Sequence, residues 1–264
     1  MRYWANGLGA TASLFGTKQN FATTGKVWFV DSETGTDGSH GENEKYPVAT
    51  LGQAVTNAAD GDTVVLASTH DETISGSTLS ISKRLNILGS GSSSGIPMPR
   101  IRCTPAQGVA LLTGADGSVV SNVRFSTPGE SDIVVYLNGV DGVVLDGCYF
   151  DVSDEGDSGG LLSLNGTSLV RVVRCSFVSA ATEENPAVTG VSLAGTSHTL
   201  FDECVLDAGL YGWASGIAMT ASDAQTALQL RDLTLLRGSD VSVHASSTGC
   251  FNVSSVSGQG RVIW

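Results

Sequence analysis

The stretches Leu112-Thr113-Gly114, Leu137-Asn138-Gly139, Leu164-Asn165-Gly166 and Leu193-Ala194-Gly195 repeat one pattern, a leucine two residues before a glycine. A looser copy follows at Met219-Thr220-Ala221. The steps between the third residues of these copies are 25, 27, 29 and 26. A unit of this length is too short to bury an apolar face alone, so successive units must stack on each other. The repeat therefore predicts a solenoid.

A second apolar segment follows each glycine, with apolar residues at positions i, i+2, i+5 and i+7. Four segments align in this way without a gap: Val143/Leu145/Cys148/Phe150, Val170/Val172/Cys175/Phe177, Thr199/Phe201/Cys204/Leu206 and Leu228/Leu230/Leu233/Leu235. The period of two within each half indicates strands, and the step of three between the halves requires a bend that restores the inward direction. The bends are predicted at Asp146-Gly147, Val173-Arg174, Asp202-Glu203 and Arg231-Asp232.

A third strand precedes each glycine, with inward residues two and four positions before it, as in Leu137 and Val135. Three short strands per coil predict an all-β fold, a single-stranded parallel β-helix whose right hand follows from the general preference of parallel crossovers. Extrapolation finds an earlier copy at Ile87-Leu88-Gly89 and a last strand at Arg261-Val262-Ile263-Trp264. The chain would then have about seven to eight coils.

The composition describes an acidic chain with a sizeable core. Of 264 residues, 41% are hydrophobic and 15% charged, and the net charge is −12. Such a balance disfavours nucleic acid as a partner, because phosphate binding needs a basic surface. No run of eighteen apolar residues occurs, so a membrane-spanning helix is not expected, and no secretory signal is visible. We expect no cofactor.

The cysteines fit packing better than metal binding. Cys148, Cys175 and Cys204 occupy one equivalent position in consecutive coils, which predicts a stacked ladder of small buried side chains. Metal ligands or disulfides are the alternatives. No CxxC pair occurs, and the four histidines do not cluster near the cysteines in sequence, so we expect no metal site.

The region before the coils divides into two parts. Residues 1–26 are small, polar and aperiodic, and are either a disordered leader or an extended arm that lies across a partner. Bulky aromatic residues favour the arm and are its candidate partner contacts: Tyr3, Trp4, Phe15 and Phe21. Residues 27–62 hold a strand, a loop and a helix predicted at 51–59, opened by the capping box of Thr50 and Gln53. The β-helix itself would span 63–264.

Residues 27–62 also carry a family resemblance. The order Trp28-Phe29-Val30-Asp31, Tyr46-Pro47, Thr50-Leu51, Gln53-Ala54-Val55 and Gly61-Asp62-Thr63-Val64 resembles the N-terminal cap of pectate-lyase-like β-helix proteins. The resemblance implies that the helix covers the first coil. That cap is widespread in bacteriophage tailspikes and other virion proteins, and in bacterial proteins that process surface polysaccharides. The family of pectate-lyase-like β-helix proteins includes both enzymes and inert structural proteins, so the resemblance is specific for fold and not for activity.

Acidic turns are the candidate sites for chemistry. Two turns that lead to the next coil carry most of the acidic candidate residues. These are Asp151, Asp154, Glu155 and Asp157 in the first turn, and Glu183 and Glu184 in the second. The following turn adds Tyr211 and Trp213, which could stack on sugar rings. Paired carboxylates beside aromatic rings are what glycan cleavage needs, whereas solvated turns of an acidic protein explain the same residues without catalysis. A lyase would also need a base, for which Arg171 and Arg174 are candidates.

The sequence favours a non-enzymatic virion structural protein of a tailed phage, such as a capsid decoration or head-fibre (cement) protein. The resemblance implies side-by-side association, hence a homotrimer, and assembly onto other virion proteins in the host cytoplasm. Trp264 stands in a strand-like stretch whose core and backbone groups a second chain is expected to cover. The alternatives are a tailspike-type polysaccharide depolymerase and a glycan-binding protein that does not cleave.

Overall fold

The computed structural model describes residues 25–91, 97–104, 108–127, 133–152, 159–179, 188–207, 209, 215–219, 227–237, 241–242, 252–254, 257–258 and 262–263. These residues form an all-β parallel solenoid with one short helix in the described part. The elements in chain order are β1 (Val27–Val30), α1 (Leu51–Asn57), β2 (Thr63–Leu66), β3 (Asp71–Ile74), β4 (Leu79–Ile81), β5 (Asn86–Gly89), β6 (Arg100–Cys103), β7 (Val109–Leu112), β8 (Val119–Ser121), β9 (Arg124–Thr127), β10 (Ile133–Asn138), β11 (Val144–Asp146), β12 (Tyr149–Val152), β13 (Gly159–Asn165), β14 (Arg171–Val173), β15 (Ser176–Ser179), β16 (Val188–Ala194), β17 (Leu200–Asp202), β18 (Val205–Asp207), β19 (Ser215–Met219), β20 (Gln229–Arg231), β21 (Thr234–Leu236), β22 (Val241–Ser242), β23 (Asn252–Ser254), β24 (Ser257–Gly258) and β25 (Val262–Ile263).

Three parallel sheets enclose the core. Sheet A has the order β1-β2-β5-β8-β11-β14-β17-β20-β23, sheet B runs from β3 to β24, and sheet C runs from β4 to β25. Each sheet pairs strands from successive coils, as where Leu145 lies opposite Val172 and Phe150 opposite Phe177. The predicted alignment of the second apolar segments is therefore confirmed, because its members are register partners.

The bend between sheets A and B uses the left-handed backbone region. Gly147, Arg174, Glu203 and Asp232 have φ values of 63°, 52°, 53° and 49°. Each is the second residue of a predicted bend, so the predicted reversal of direction is confirmed. A non-glycine residue in this region costs roughly 1 kcal/mol or more. The left-handed conformation recurs in successive coils despite this cost, because the bends must have the same geometry for the strands to stay in register.

Aromatic side chains stack in the core beneath sheet B. Phe125, Phe150 and Phe177 lie in one column, with ring centroids 5.5 Å apart between the first two and 4.7 Å between the last two. Leu206 and Leu235 continue the column at the positions that follow. Phe150 and Phe177 are fully buried. Identical side chains at equivalent positions of successive coils therefore build the core as a ladder.

The cysteine ladder is confirmed for the described residues. Cys148, Cys175 and Cys204 are at most 1% exposed, and Leu233 takes the next place in the column. All three are free thiols whose Sγ atoms donate to backbone carbonyl oxygens, as from Cys204 to Val172 O at 3.3 Å. Burial raises the pKa of Cys204 to about 12. Cys204 is therefore a protonated packing group at neutral pH.

Two predictions about element positions need correction. Ile87-Leu88-Gly89 is not the copy that precedes the Leu112-Thr113-Gly114 pattern, because β5 lies in sheet A and β7 pairs with β4 in sheet C. The first coils carry extra residues, among them the glycine-serine stretch at 89–95, so equal spacing along the chain does not mean equal position in the coil.

The helix is also shorter than the predicted range of 51–59. Thr50 caps it, with Oγ1 accepting from the Gln53 backbone N–H at 3.1 Å, as expected. The Gln53 side chain donates to Asn57 instead of closing the capping box. Helix α1 ends at Asn57 because Ala58 has extended backbone, with ψ at 151°, and the Ala59 N–H donates to the Asp62 carboxylate.

Asp62 joins the elements at this end of the coil stack. Its two oxygens accept from the Lys26 N–H at 2.7 Å, from Trp28 Nε1–H at 2.8 Å and from the Ala59 N–H at 2.8 Å. Burial opposes ionisation, but these three donors outweigh it and lower the pKa of Asp62. The carboxylate is 3% exposed, so it is a structural anion of the interior.

Candidate functional site

Most of the predicted site residues lie outside the described part of the chain. These are Tyr3, Trp4, Phe15, Phe21, Asp154, Glu155, Asp157, Glu183, Glu184, Tyr211, Trp213 and Trp264. Asp151 is described, at the third position of β12. Among the described residues, the candidate site is therefore the outer face of sheet B around Asp151.

Asp151 is enclosed by an arginine. Arg124 Nε donates to its Oδ1 at 2.9 Å and Arg124 Nη2 to its Oδ2 at 2.7 Å, so both oxygens are occupied. Asp151 is 4% exposed. The hydrogen bonds to this carboxylate raise the pKa of Arg124, and burial only partly offsets them. A buried carboxylate in a two-pronged ion pair is poorly placed to protonate or attack a substrate.

Two further arginines lie on the neighbouring strand β6 of the same sheet. Arg100 and Arg102 lie two residues apart on β6, so both side chains leave the same face of the strand. Arg124 on β9 is the register partner of Arg100, and Tyr149 on β12 is the register partner of Arg124. We call these four residues, together with Asp71 and Asp151, the arginine face.

One carboxylate serves two of these arginines. Asp71 accepts from Arg100 Nη2 and from Arg102 Nη2, both at 2.6 Å, and Arg100 Nε adds a longer bond at 3.3 Å. Burial alone would raise the pKa of Asp71, but the hydrogen bonds and charges of the two arginines lower it. The arginine face thus carries three guanidinium groups against two carboxylates.

Tyr149 lies next to Arg124, on the side away from Arg100. The Arg124 guanidinium lies over its ring, 5.4 Å from the centroid, which is a cation–π contact. Burial and the charge of Asp151 raise the pKa of the Tyr149 hydroxyl. The phenol is therefore a neutral group at physiological pH, and its ring face is occupied by Arg124.

Further arginine–aspartate pairs run along the bends and the far coils. Arg174 Nη2 donates to Asp146 Oδ1 at 2.5 Å, and Arg231 pairs with Asp202 and Arg237 with Asp207. Arg174 therefore holds a carboxylate of the preceding coil. This ion pair leaves the Arg174 guanidinium ill suited to act as a base.

We expect these pairs to make stability depend on acid pH. The Arg231 and Arg237 hydrogen bonds lower the pKa of Asp202 and of Asp207 below the ordinary value of 3.8. In the unfolded chain these aspartates take up protons at higher pH than in the folded chain. The stabilisation is therefore present above about pH 4 and is lost as the pH falls through 3.8 toward the lower folded values.

The measurement is the urea midpoint between neutral pH and pH 3. Arg231→Gln should flatten the fall of the midpoint below pH 4, because Asp202 then has a more ordinary pKa. Lys45→Gln, a change at an exposed lysine of the loop before α1, should leave the profile unchanged. Identical profiles for Arg231→Gln and the unmodified protein would contradict the expectation.

A buried histidine has a structural role at the first coil. His70 Nδ1 accepts from the Ser32 N–H at 3.0 Å, so the ring proton resides on Nε2 and is shared with Glu72 Oε2 at 3.1 Å. The same Glu72 oxygen accepts from the Leu51 N–H at 2.7 Å. This chain of bonds ties β1, β3 and the start of α1 together, and the His70 side chain is fully buried.

The described residues lack two further features. They contain no group of three or more histidine, cysteine, aspartate or glutamate side chains placed to hold a metal ion. No helix among them is long and apolar enough to cross a membrane.

Comparison with known proteins identifies the fold. No protein-family model matches the chain, and no curated protein matches it by sequence. Among solved structures, pectate lyase Pel9A matches with a TM-score of 0.50 at 10% identity, over 92% of this chain and 78% of that one. At this identity the likeness shows the fold alone, a parallel β-helix.

Two further structures are less similar. A putative glycosyl hydrolase from Parabacteroides merdae has a TM-score of 0.46 at 9% identity, over 66% of this chain and 82% of that one. The pectin methylesterase from Aspergillus niger has a TM-score of 0.40 at 13% identity, over 90% and 86%.

Sequence reasoning missed the arginine face. Its signal is present in the alternation Arg100-Ile101-Arg102, where the buried Ile101 puts both arginines on the outside. Arg124 and Tyr149 likewise each precede a buried phenylalanine. That these residues meet depends on the register between coils, which the residue pattern of one strand does not give.

Proposed function

We propose that this protein is a non-enzymatic structural protein of a bacteriophage particle, most specifically a capsid decoration or head-fibre (cement) protein. The observation that carries the proposal is the Arg124–Asp151 pair, because it removes the one described candidate acid from reach of a substrate. The other described aspartates beside arginines are also held in ion pairs. Such pairs stabilise a stack of coils and hold these aspartates away from a substrate.

The phage assignment rests on the resemblance of residues 27–62 to the cap found in virion proteins. In this proposal the chain forms a homotrimer, and residues 1–26 and the segment at Trp264 contact neighbouring virion proteins. In the same proposal the chain divides into an arm at 1–26, a cap at 27–62 and a β-helix at 63–264 with seven to eight coils. Support for the cap comes from α1, which packs against β1 and β2 and buries Leu51, Ala54 and Val55.

The test is particle binding. Purified protein is mixed with phage particles from which the coding sequence has been deleted, and bound protein is measured by sedimentation and by electron microscopy of labelled particles. We expect saturable binding at regular positions, and loss of binding in a chain that lacks residues 1–24. A matched chain with Tyr46→Ala, a change at an exposed aromatic of the described loop, should bind normally.

Cleavage of host surface polysaccharide would overturn the proposal. The sign is a rise in reducing ends that disappears in Asp154→Asn or in Glu183→Gln. Saturable glycan binding without new ends, lost when Tyr211 and Trp213 are changed to alanine, would instead indicate a receptor-binding protein.

A further inference from the structure

The charge balance of the arginine face differs from the rest of the described chain. Elsewhere in the described chain each ion pair joins one arginine to one aspartate, as for Arg174, Arg231 and Arg237. On the arginine face, Asp71 is shared by Arg100 and Arg102. A protein with a net charge of −12 thus concentrates an excess of positive charge at one place on sheet B.

The register of the sheet makes this placement costly. Arg100 and Arg124 are direct register partners on adjacent strands, and like charges directly opposite each other destabilise a sheet. Asp71 and Asp151 lie on opposite sides of this pair, each bound to its own arginine. Arg100 and Arg124 are therefore neighbours on adjacent strands, and each binds a different carboxylate.

The three side chains also have unused donors. A guanidinium group carries five N–H donors. The recorded bonds of Arg100, Arg102 and Arg124 use only their Nε and Nη2 groups, and Arg102 uses Nη2 alone. Arg102 Nε is buried without a hydrogen-bond partner and is therefore out of reach of a ligand from solvent, so the available donors are on the Nη groups. The side chains are 31%, 44% and 39% exposed, so a ligand can reach them from solvent.

We propose that the arginine face binds a tetrahedral oxyanion, a phosphate group held between Arg100, Arg102 and Arg124. A phosphate has more acceptor oxygens than a carboxylate, so it can accept from three guanidinium groups at once. Its charge removes the repulsion between Arg100 and Arg124. The same chemistry is offered by free phosphate and by a phosphate ester, and it is independent of the proposed virion role.

The test titrates the full-length protein with inorganic phosphate and, separately, with glycerol 3-phosphate, against sodium chloride at matched ionic strength. The readouts are the NMR signals of the arginine Nε–H groups and the thermal unfolding midpoint. We expect the Arg102 and Arg124 signals to shift in a saturable way with phosphate and not with chloride. The titration that gives the lower dissociation constant identifies the ligand as the free anion or as the phosphate ester.

Arg102→Ala should weaken phosphate binding roughly tenfold, since a charge-assisted hydrogen bond from a guanidinium group is lost. Its fold is preserved because Arg100 still holds Asp71 through two bonds. Arg102→Lys, which keeps the charge and loses the fork, should give an intermediate constant. Arg237→Ala is the matched control, an arginine with its own aspartate elsewhere on the surface. Equal effects of phosphate and chloride, or equal phosphate binding by Arg102→Ala and the unmodified protein, would overturn the proposal.

Discussion

Phe150→Ala should lower the free energy of unfolding by about 3–5 kcal/mol, the range for removal of a buried aromatic ring. Phe150 is fully buried and stacks on Phe125 and Phe177, with ring planes 18° and 5° apart. The cavity would lie in the middle of the ladder, where coils on both sides are held in register and cannot collapse into it. The measurement is urea unfolding followed by circular dichroism.

Two variants separate this effect from a general loss of aromatic surface. Phe150→Leu should cost only about 1 kcal/mol, because leucine already fills the same column at Leu206 and Leu235. Tyr46→Ala removes an aromatic ring that is 59% exposed and should change stability by about 0.5 kcal/mol or less. A loss below about 1 kcal/mol for Phe150→Ala would show that the ladder is not a close-packed core.

Asp62→Ala should destabilise the protein by about 2 kcal/mol or more, because three donors lose their acceptor at once and the buried one, Trp28 Nε1–H, alone costs about 1–3 kcal/mol when unpaired. The donors are the backbone N–H groups of Lys26 and Ala59 and the Trp28 Nε1–H. A side chain at Gly25 would displace the same carboxylate, since a Cβ there would lie 2.4 Å from Asp62 Oδ1. Hydrogen exchange at Lys26 and Ala59 locates the loss.

Asp60→Ala is the matched control for Asp62. Asp60 is an exposed aspartate two residues away, and it accepts from the Arg84 N–H alone. Its loss should cost about 1 kcal/mol. Asp62→Asn keeps one oxygen acceptor and should fall between the two alanine variants. Unchanged hydrogen exchange at Lys26 and Ala59 in Asp62→Ala would contradict the role given to the carboxylate.

The fold class was predictable because its signal is local. Alternation of apolar residues with period two, and the step of three at Asp146-Gly147 and its equivalents, are properties of a few adjacent residues. The columns of buried side chains predicted from the sequence pattern are therefore the ones found in the structure, as for Cys148, Cys175 and Cys204. The copy at Ile87-Leu88-Gly89 was misplaced because spacing alone does not say to which sheet a strand belongs.

The sequence by itself determined that this protein is a stack of small coils with an alternating core, because each coil repeats its own pattern of inward side chains. Only the tertiary structure decided which outer side chains meet. Arg124 finds Asp151, and Asp71 is shared by Arg100 and Arg102, from strands more than twenty residues apart. The physical reason is that turn lengths vary between coils, so the register that brings two outer side chains together is fixed by the packing of the whole stack.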